Sequence, residues 1–183
     1  EVSEAPFKKL SYNESLRLYG TDKPDLRNPI TISDVTDIIK TKDVTLEIFK
    51  KNVKKNGAVK AIPVPNTKGK ARSFFDELNE WAKKEGMGGL AYLTFEKLNN
   101  SINPKGPISK FFSKSAIEKI MDLCGIKEEG AVFFVSDNQE NATKYAGMAR
   151  QKIAKELKLI NEKEFKFCWV VDFPMYQYNE EEK

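Results

Sequence analysis

The chain has 183 residues, of which 40% are hydrophobic and 32% charged, with 31 Lys and Arg against 27 Asp and Glu. That describes a soluble globular protein with room for one sizeable core or two small ones, and no apolar run approaches the roughly 20 residues of a membrane helix. Histidine is absent altogether, which removes the commonest general base and metal ligand and every Ser-His or Cys-His nucleophile. A self-contained hydrolase or zinc enzyme is therefore not expected. Cys124 and Cys168 have no metal-binding spacing and read as buried thiols of a reducing compartment, with the cytoplasm as the default. The chain opens on Glu1 rather than Met, with no signal peptide, so it is expected to be a processed product or a piece of a longer chain.

A short helix is predicted over Asn13–Tyr19, capped by Asn13 and ended by Gly20. Next comes Tyr19-Gly20-Thr21-Asp22-Lys23-Pro24-Asp25-Leu26-Arg27, in which opposite charges interleave and Gly20 and Pro24 punctuate. Such residues make a rigid turn carrying a fork of charges, read either as a binding loop or as a solvated loop whose charges pair with one another. Ser33–Lys40 is predicted as a helix capped by Ser33, with Val35, Ile38 and Ile39 buried.

From Asp43 the pattern changes. Val44–Phe49 alternates like a half-buried strand, Lys54-Lys55-Asn56-Gly57 reads as a hairpin turn, and Ala58–Val64 as a second strand that ends or lies at an edge near Pro63. Ser73–Glu85 is the clearest helix, with Phe74, Leu78, Trp81 and Ala82 at helical spacing, and Gly86–Gly89 ends it. A strand is predicted at Leu90–Phe95, then a loop through Asn99, Asn100, Pro104, Gly106 and Pro107, then a helix over Ser115–Leu123. The apolar run Ala131–Val135 suits a central strand covered on both faces. Asn138 or Asn141 opens the last long helix, to about Leu159, and Phe165–Pro174 reads as a strongly buried strand.

Strand, strand, helix, strand, helix, strand, helix predicts an α+β domain of two layers, with helices on one face of a mainly antiparallel sheet. Residues 1–30 and 165–183 look like one unit interrupted by that domain.

Several separate blocks resemble one family. Tyr19–Arg27 is similar to the YGSDKPDLR run of bacterial-type aspartyl-tRNA synthetases, with Thr21 for Ser, and Pro6–Tyr12 is similar to that family's PFPRMTY. Gly89–Tyr92, Lys110-Phe111, Val132–Phe134 with Ser136–Asn138, and Trp169–Met175 follow in the family's order and spacing. The resemblance implies a fragment of a class II aspartate–tRNA ligase. It divides into an N-terminal flank from the catalytic domain over 1–30, a GAD-type insertion over 31–164, and a flank re-entering the catalytic domain over 165–183. The family's motif arginines, its substrate-binding glutamine and lysine and its histidine pair lie outside these residues, so the fragment is expected to be inactive, with no catalytic, cofactor-binding or metal residue of its own. ATP and Mg are implied for the whole enzyme only. The partners implied are tRNA-Asp, with tRNA-Asn as an open second, the rest of the catalytic domain and, for the parent enzyme, a second copy; no membrane is implied. A tRNA-dependent amidotransferase subunit carrying the same GAD domain is the alternative family, and a protein-interaction scaffold without RNA contact is a third reading.

Four candidate sites follow. Lys50, Lys51, Lys54, Lys55, Lys60, Lys68, Lys70 and Arg72 are candidates for tRNA backbone contact, near the acceptor arm, because phosphates need only placed cations. The plainer reading is a solvated face. Lys110 and Lys114 beside Phe111-Phe112 are a second candidate, although those rings read as core. Asp22, Lys23, Asp25 and Arg27 are expected, from the resemblance, to fasten the insertion to the catalytic body. Asp172 either faces the catalytic centre or bonds locally at a strand end.

Overall fold

A computed structural model describes residues 2–65, 67, 69–98, 101–127 and 129–176. At its centre lies a five-stranded antiparallel sheet in the order β2 (Ser33–Asp34), β3 (Ala58–Val64), β6 (Gly130–Asp137), β4 (Ala91–Leu98), β5 (Ser101–Lys105). β6 is the middle strand: Ile62 pairs with Phe133 on one side and Tyr92 with Phe133 on the other.

Helices cover both faces of this sheet, not one. Ile62, Val64, Tyr92, Phe133 and Val135 pack against Phe75, Leu78 and Ala82 of α4 (Arg72–Lys84) and Ala146, Ala149 and Ile153 of α6 (Gln139–Glu156). The alternate residues Val59, Ala61, Leu93, Val132 and Phe134 pack against α2 (Thr36–Lys40), α3 (Glu47–Lys54) and α5 (Lys114–Cys124) through Val35, Ile39, Phe49, Val53, Ile117 and Ile120. The physical reason is the continuous apolar run of β6: with period two, both of its faces are apolar, and each needs a cover. A side chain buried this fully contributes roughly 1.5–3 kcal/mol. The fold is α+β in three layers.

Four local expectations change. Residues 47–54 are a helix, because Phe49 and Val53, four apart, meet the sheet, while Ile48 is left exposed; a strand would have buried Ile48 with Val44 and Leu46. Asn56-Gly57 consequently ends a helix instead of turning a hairpin, with Asn56 at φ 61°. The stretch around Pro104 is not a loop but β5, an edge strand, where proline costs no ladder bond on the open side. Ser33 lies in β2, and Asp34, not Ser33, accepts from the Thr36 N–H at 2.9 Å to start α2.

Pro63 sits inside β3 without breaking it. Val59 turns both its N–H and its C=O away from β6, to Thr36 Oγ1 and from Val35 N. Pro63 has the same parity, so its missing donor faces that side too, beyond the reach of the two-residue β2.

The remaining strands form a separate parallel ribbon, β1 (Lys8–Ser11) against β7 (Cys168–Val171), with Lys8 opposite Cys168 and Ser11 opposite Val171. The Phe165–Pro174 stretch is not strongly buried: Phe165, Phe167, Trp169 and Phe173 are all more than half exposed, since a two-stranded ribbon covers neither face of itself. β1 runs directly into α1 (Tyr12–Tyr19), whose cap is Ser11, not Asn13, its hydroxyl accepting from Glu14 N at 3.2 Å.

Candidate nucleic-acid interface and anchoring loop

α1 ends at Gly20, which takes φ 71° and returns its N–H to Leu16 O at 2.9 Å. Ser15, fully buried, donates its hydroxyl to Thr21 O at 2.7 Å and so draws the next residues back along the helix. Within the loop the predicted fork of charges is real and closes on itself. Asp25 Oδ1 accepts from the main-chain N and Nε of Arg27 at 3.0 and 2.9 Å, and Oδ2 from Nη2 at 2.8 Å. The Arg27 side-chain bonds hold the Asp25 carboxyl below its ordinary range, against the opposing effect of burial. Asp22 and Lys23 pair at 3.0 Å, with the lysine side chain 85% exposed. The side-chain bonds of Asp22, Lys23, Asp25 and Arg27 therefore stay inside the loop.

What reaches the loop from outside is Arg150 of α6, which the sequence reading passed over. Its residue is 0% exposed. Nε donates to Ile30 O at 2.6 Å, and Nη2 donates to Asp25 O at 2.9 Å and Asn28 O at 2.8 Å. The guanidinium also lies 4.9 Å from the centre of the Tyr19 ring. Asn28, itself buried, donates back to Arg150 O at 3.2 Å, while its Oδ1 accepts from Ile30 N at 3.0 Å. Burial pushes Arg150 down to about 10, with Tyr19 and Asp25 pulling the other way, so it stays cationic at neutral pH. A signal was present: Arg150 stands four residues after Ala146 and three before Ile153, on the buried stripe of α6.

The lysine candidates do not form one surface. Lys51, Lys54 and Lys55 lie exposed on and just after the outer side of α3, and Lys50 donates to Thr41 O at 2.9 Å. Lys60 is only 8% exposed and is paired with Asp34 at 2.7 Å, so it is no surface cation. Lys70 lies 5.3 Å over the Phe74 ring and Arg72 pairs with Asp76 at 3.4 Å, both at the start of α4 and thus on the opposite face of the sheet from α3. Lys68 falls outside the described residues. Lys110 and Lys114 belong to the same layer as α3, and Phe111 and Phe112 beside them pack into the core. Asp172 is exposed at φ 60°.

Cys124 is half-buried, and burial pushes its thiol up to about 11, with a Ser33 contact opposing. Among the described residues no three His, Cys, Asp or Glu side chains gather as a metal would need, and no helix is long and apolar enough to cross a membrane.

These features define a three-layer α+β module with an elaborated loop packed on its longest helix. Residues 49–146, from within α3 to within α6, match the GAD domain, and the chain belongs to that family. The chain is 51% identical over 174 residues to an "Aspartate--tRNA(Asp/Asn) ligase" of Pelagibacter ubique, an alignment covering 95% of this chain and 29% of the relative. Similar relatives of the same name are found in Rickettsia canadensis, at 50% identity over 99% of this chain and 29% of the relative, and in Methylocella silvestris, at 47% over 97% and 28%. The chain thus spans less than a third of the length of the curated relatives it matches.

Proposed function

We propose that this chain is the GAD-containing part of an aspartate–tRNA ligase, a class II synthetase that activates aspartate with ATP and transfers it to tRNA in the cytoplasm. The observation that carries this reading is about 50% identity across nearly the whole chain to ligases of that name. The chain itself performs no chemistry. It presents cations to the tRNA near the acceptor arm, while ATP and Mg act elsewhere in the ligase, which works as a homodimer. The relatives are named for both tRNA-Asp and tRNA-Asn, and we extend both substrates to the parent enzyme.

The domain limits follow from the same reading. Residues 31–164 form the inserted layer, and residues 1–30 and 165–183 belong to the catalytic body, with the exposed apolar faces of the β1–β7 ribbon turned toward it. The contact to tRNA falls on the α3 layer, through Lys51, Lys54 and Lys55. These three are exposed and neighbouring, whereas Lys60 is taken up by Asp34.

The test is tRNA binding by the whole ligase and by its Lys51→Ala/Lys54→Ala/Lys55→Ala variant over a salt series. Each lost phosphate contact lowers the slope of log K against log salt by about 0.7–0.9. An unchanged slope removes the tRNA contact from this face, and ligase activity absent from the whole protein removes the family function.

A further inference from the structure

We infer that Arg150 is the positioning residue that seats the Tyr19–Ile30 loop, and with it the β1–β7 ribbon, on the five-stranded layer. The Arg150 guanidinium donates to main-chain atoms. All three of its hydrogen bonds end on main-chain carbonyls of one short segment, Asp25 to Ile30, which lies at least 120 residues away in sequence. A contact to carbonyls reads the shape of a backbone rather than the identity of its side chains, so Arg150 recognises a loop already folded into the right curve.

Other residues supply that curve. The Asp25–Arg27 fork closes residues 25–27, the Asn28 amide oxygen fixes the approach of Ile30 N, and Pro24 and Pro29 each hold their own φ. The fork shapes the loop, Arg150 fills it, and Asn28 returns a bond to the Arg150 carbonyl. This explains why the charged residues of the loop bond one another while the loop still sits firmly on α6.

The link to the ribbon is direct. Ser11 is both the last residue of β1 and the cap of α1, and α1 ends at Tyr19, whose ring lies under the Arg150 guanidinium. One turn before Arg150, Gly147 meets Gly20 backbone to backbone. The orientation of α1, and of the strand fused to it, is therefore set at Tyr19–Ile30. A planar fork serving three carbonyls is specific to arginine; a lysine ammonium replaces the charge but not the geometry. The inference does not depend on the ligase reading, because it concerns how two parts of this chain are held together.

The test reads placement directly. Spin labels on the exposed Lys9 of β1 and Lys84 of α4, in a chain with Cys124→Ala and Cys168→Ser, report the ribbon-to-layer distance. A single narrow distribution is expected for the parent, a broad one for Arg150→Met, and partial narrowing for Arg150→Lys. In parallel, exchange of the Ile30 and Ile32 amides quickens by roughly tenfold or more in Arg150→Met, while β3 and β6 amides keep their protection. A distribution unchanged in Arg150→Met overturns the inference, and so does exchange that rises equally in β3 and β6, which marks a core residue only. If Arg150→Met does not fold, Arg150→Lys keeps the charge but loses the planar fork that serves the three carbonyls. Local loosening is then expected, and none overturns the proposal.

Discussion

Gly20 and Gly147 meet without side chains between them: a Cβ on Gly147 would stand 2.6 Å from Gly20 O, and one on Gly20 would stand 2.5 Å from Gly147 Cα. Both obstacles are backbone, so neither can swing aside. Gly147→Ala gains up to about 1 kcal/mol of helix propensity, yet the forced separation of α1 from α6 costs more. A net loss of about 1–3 kcal/mol is expected in urea unfolding, the usual range for overpacking.

Lys60 pairs with Asp34 at 2.7 Å, and the lysine is only 8% exposed. Asp34→Ala leaves an ammonium with little access to water and is expected to cost about 1–3 kcal/mol. Lys60→Met, which removes the charge and keeps the stem, should cost less than Asp34→Ala. The reverse order would show that the ammonium finds water.

Acid stability follows from the same carboxylates. The Arg27 bonds hold Asp25 below its ordinary value. At Asp34 burial works to raise the carboxyl, but the bonds from Lys60 and Thr36 outweigh it. A folded value below the unfolded one gives stability that is complete above the unfolded carboxylate range, near pH 4, and is lost as pH falls through the lowered value. Asp25→Asn should lower stability at pH 7 and flatten the decline below pH 4. Thermal midpoints measured from pH 7 to pH 2 check both.

Cys124 should resist alkylation in the folded chain. With its thiol pushed up to about 11, the rate of iodoacetamide labelling is expected to rise about tenfold per pH unit from 8 to 10. In urea the same thiol should titrate near the ordinary value of about 8.5. Labelling at pH 8 that proceeds equally fast with and without urea would contradict the burial.

Asn52 ties α3 to the ends of two strands: Nδ2 lies 3.3 Å from Ala58 O, 3.0 Å from Ser136 Oγ and 2.8 Å from Asp137 O. Asn52→Ala strands these acceptors and is expected to cost about 1–3 kcal/mol. Gly57→Ala should disturb the same joint, because its Cβ would fall on the Asn52 amide.

Much of the central sheet was legible because its signals are local. The run Ala131–Val135 is apolar at every position, and Ala58–Val64 carries the strand pattern over the observed residues. Short elements were not legible. Leu46, Phe49 and Val53 have helical spacing, but Val44, Leu46 and Ile48 also alternate, and only packing on Phe134 chooses between them. Pro104 hid β5, because proline is read as a break unless the neighbouring strand is known. At the candidate site the Asp25–Arg27 fork could be read from its two residues. Arg150 could not, since its meaning lies in three carbonyls more than a hundred positions away.

The parallel register of β1 and β7 has a topological consequence. Neighbouring parallel strands always need a crossover connection, which is ordinarily a dozen or so residues with one helix. Here everything between Ser11 and Cys168, the five-stranded sheet and its five covering helices included, is that single crossover. Within this chain the layer therefore leaves and rejoins the ribbon between two neighbouring strands. Replacing residues 21–160 with a minimal connection is expected to preserve the neighbour relation of the two strands.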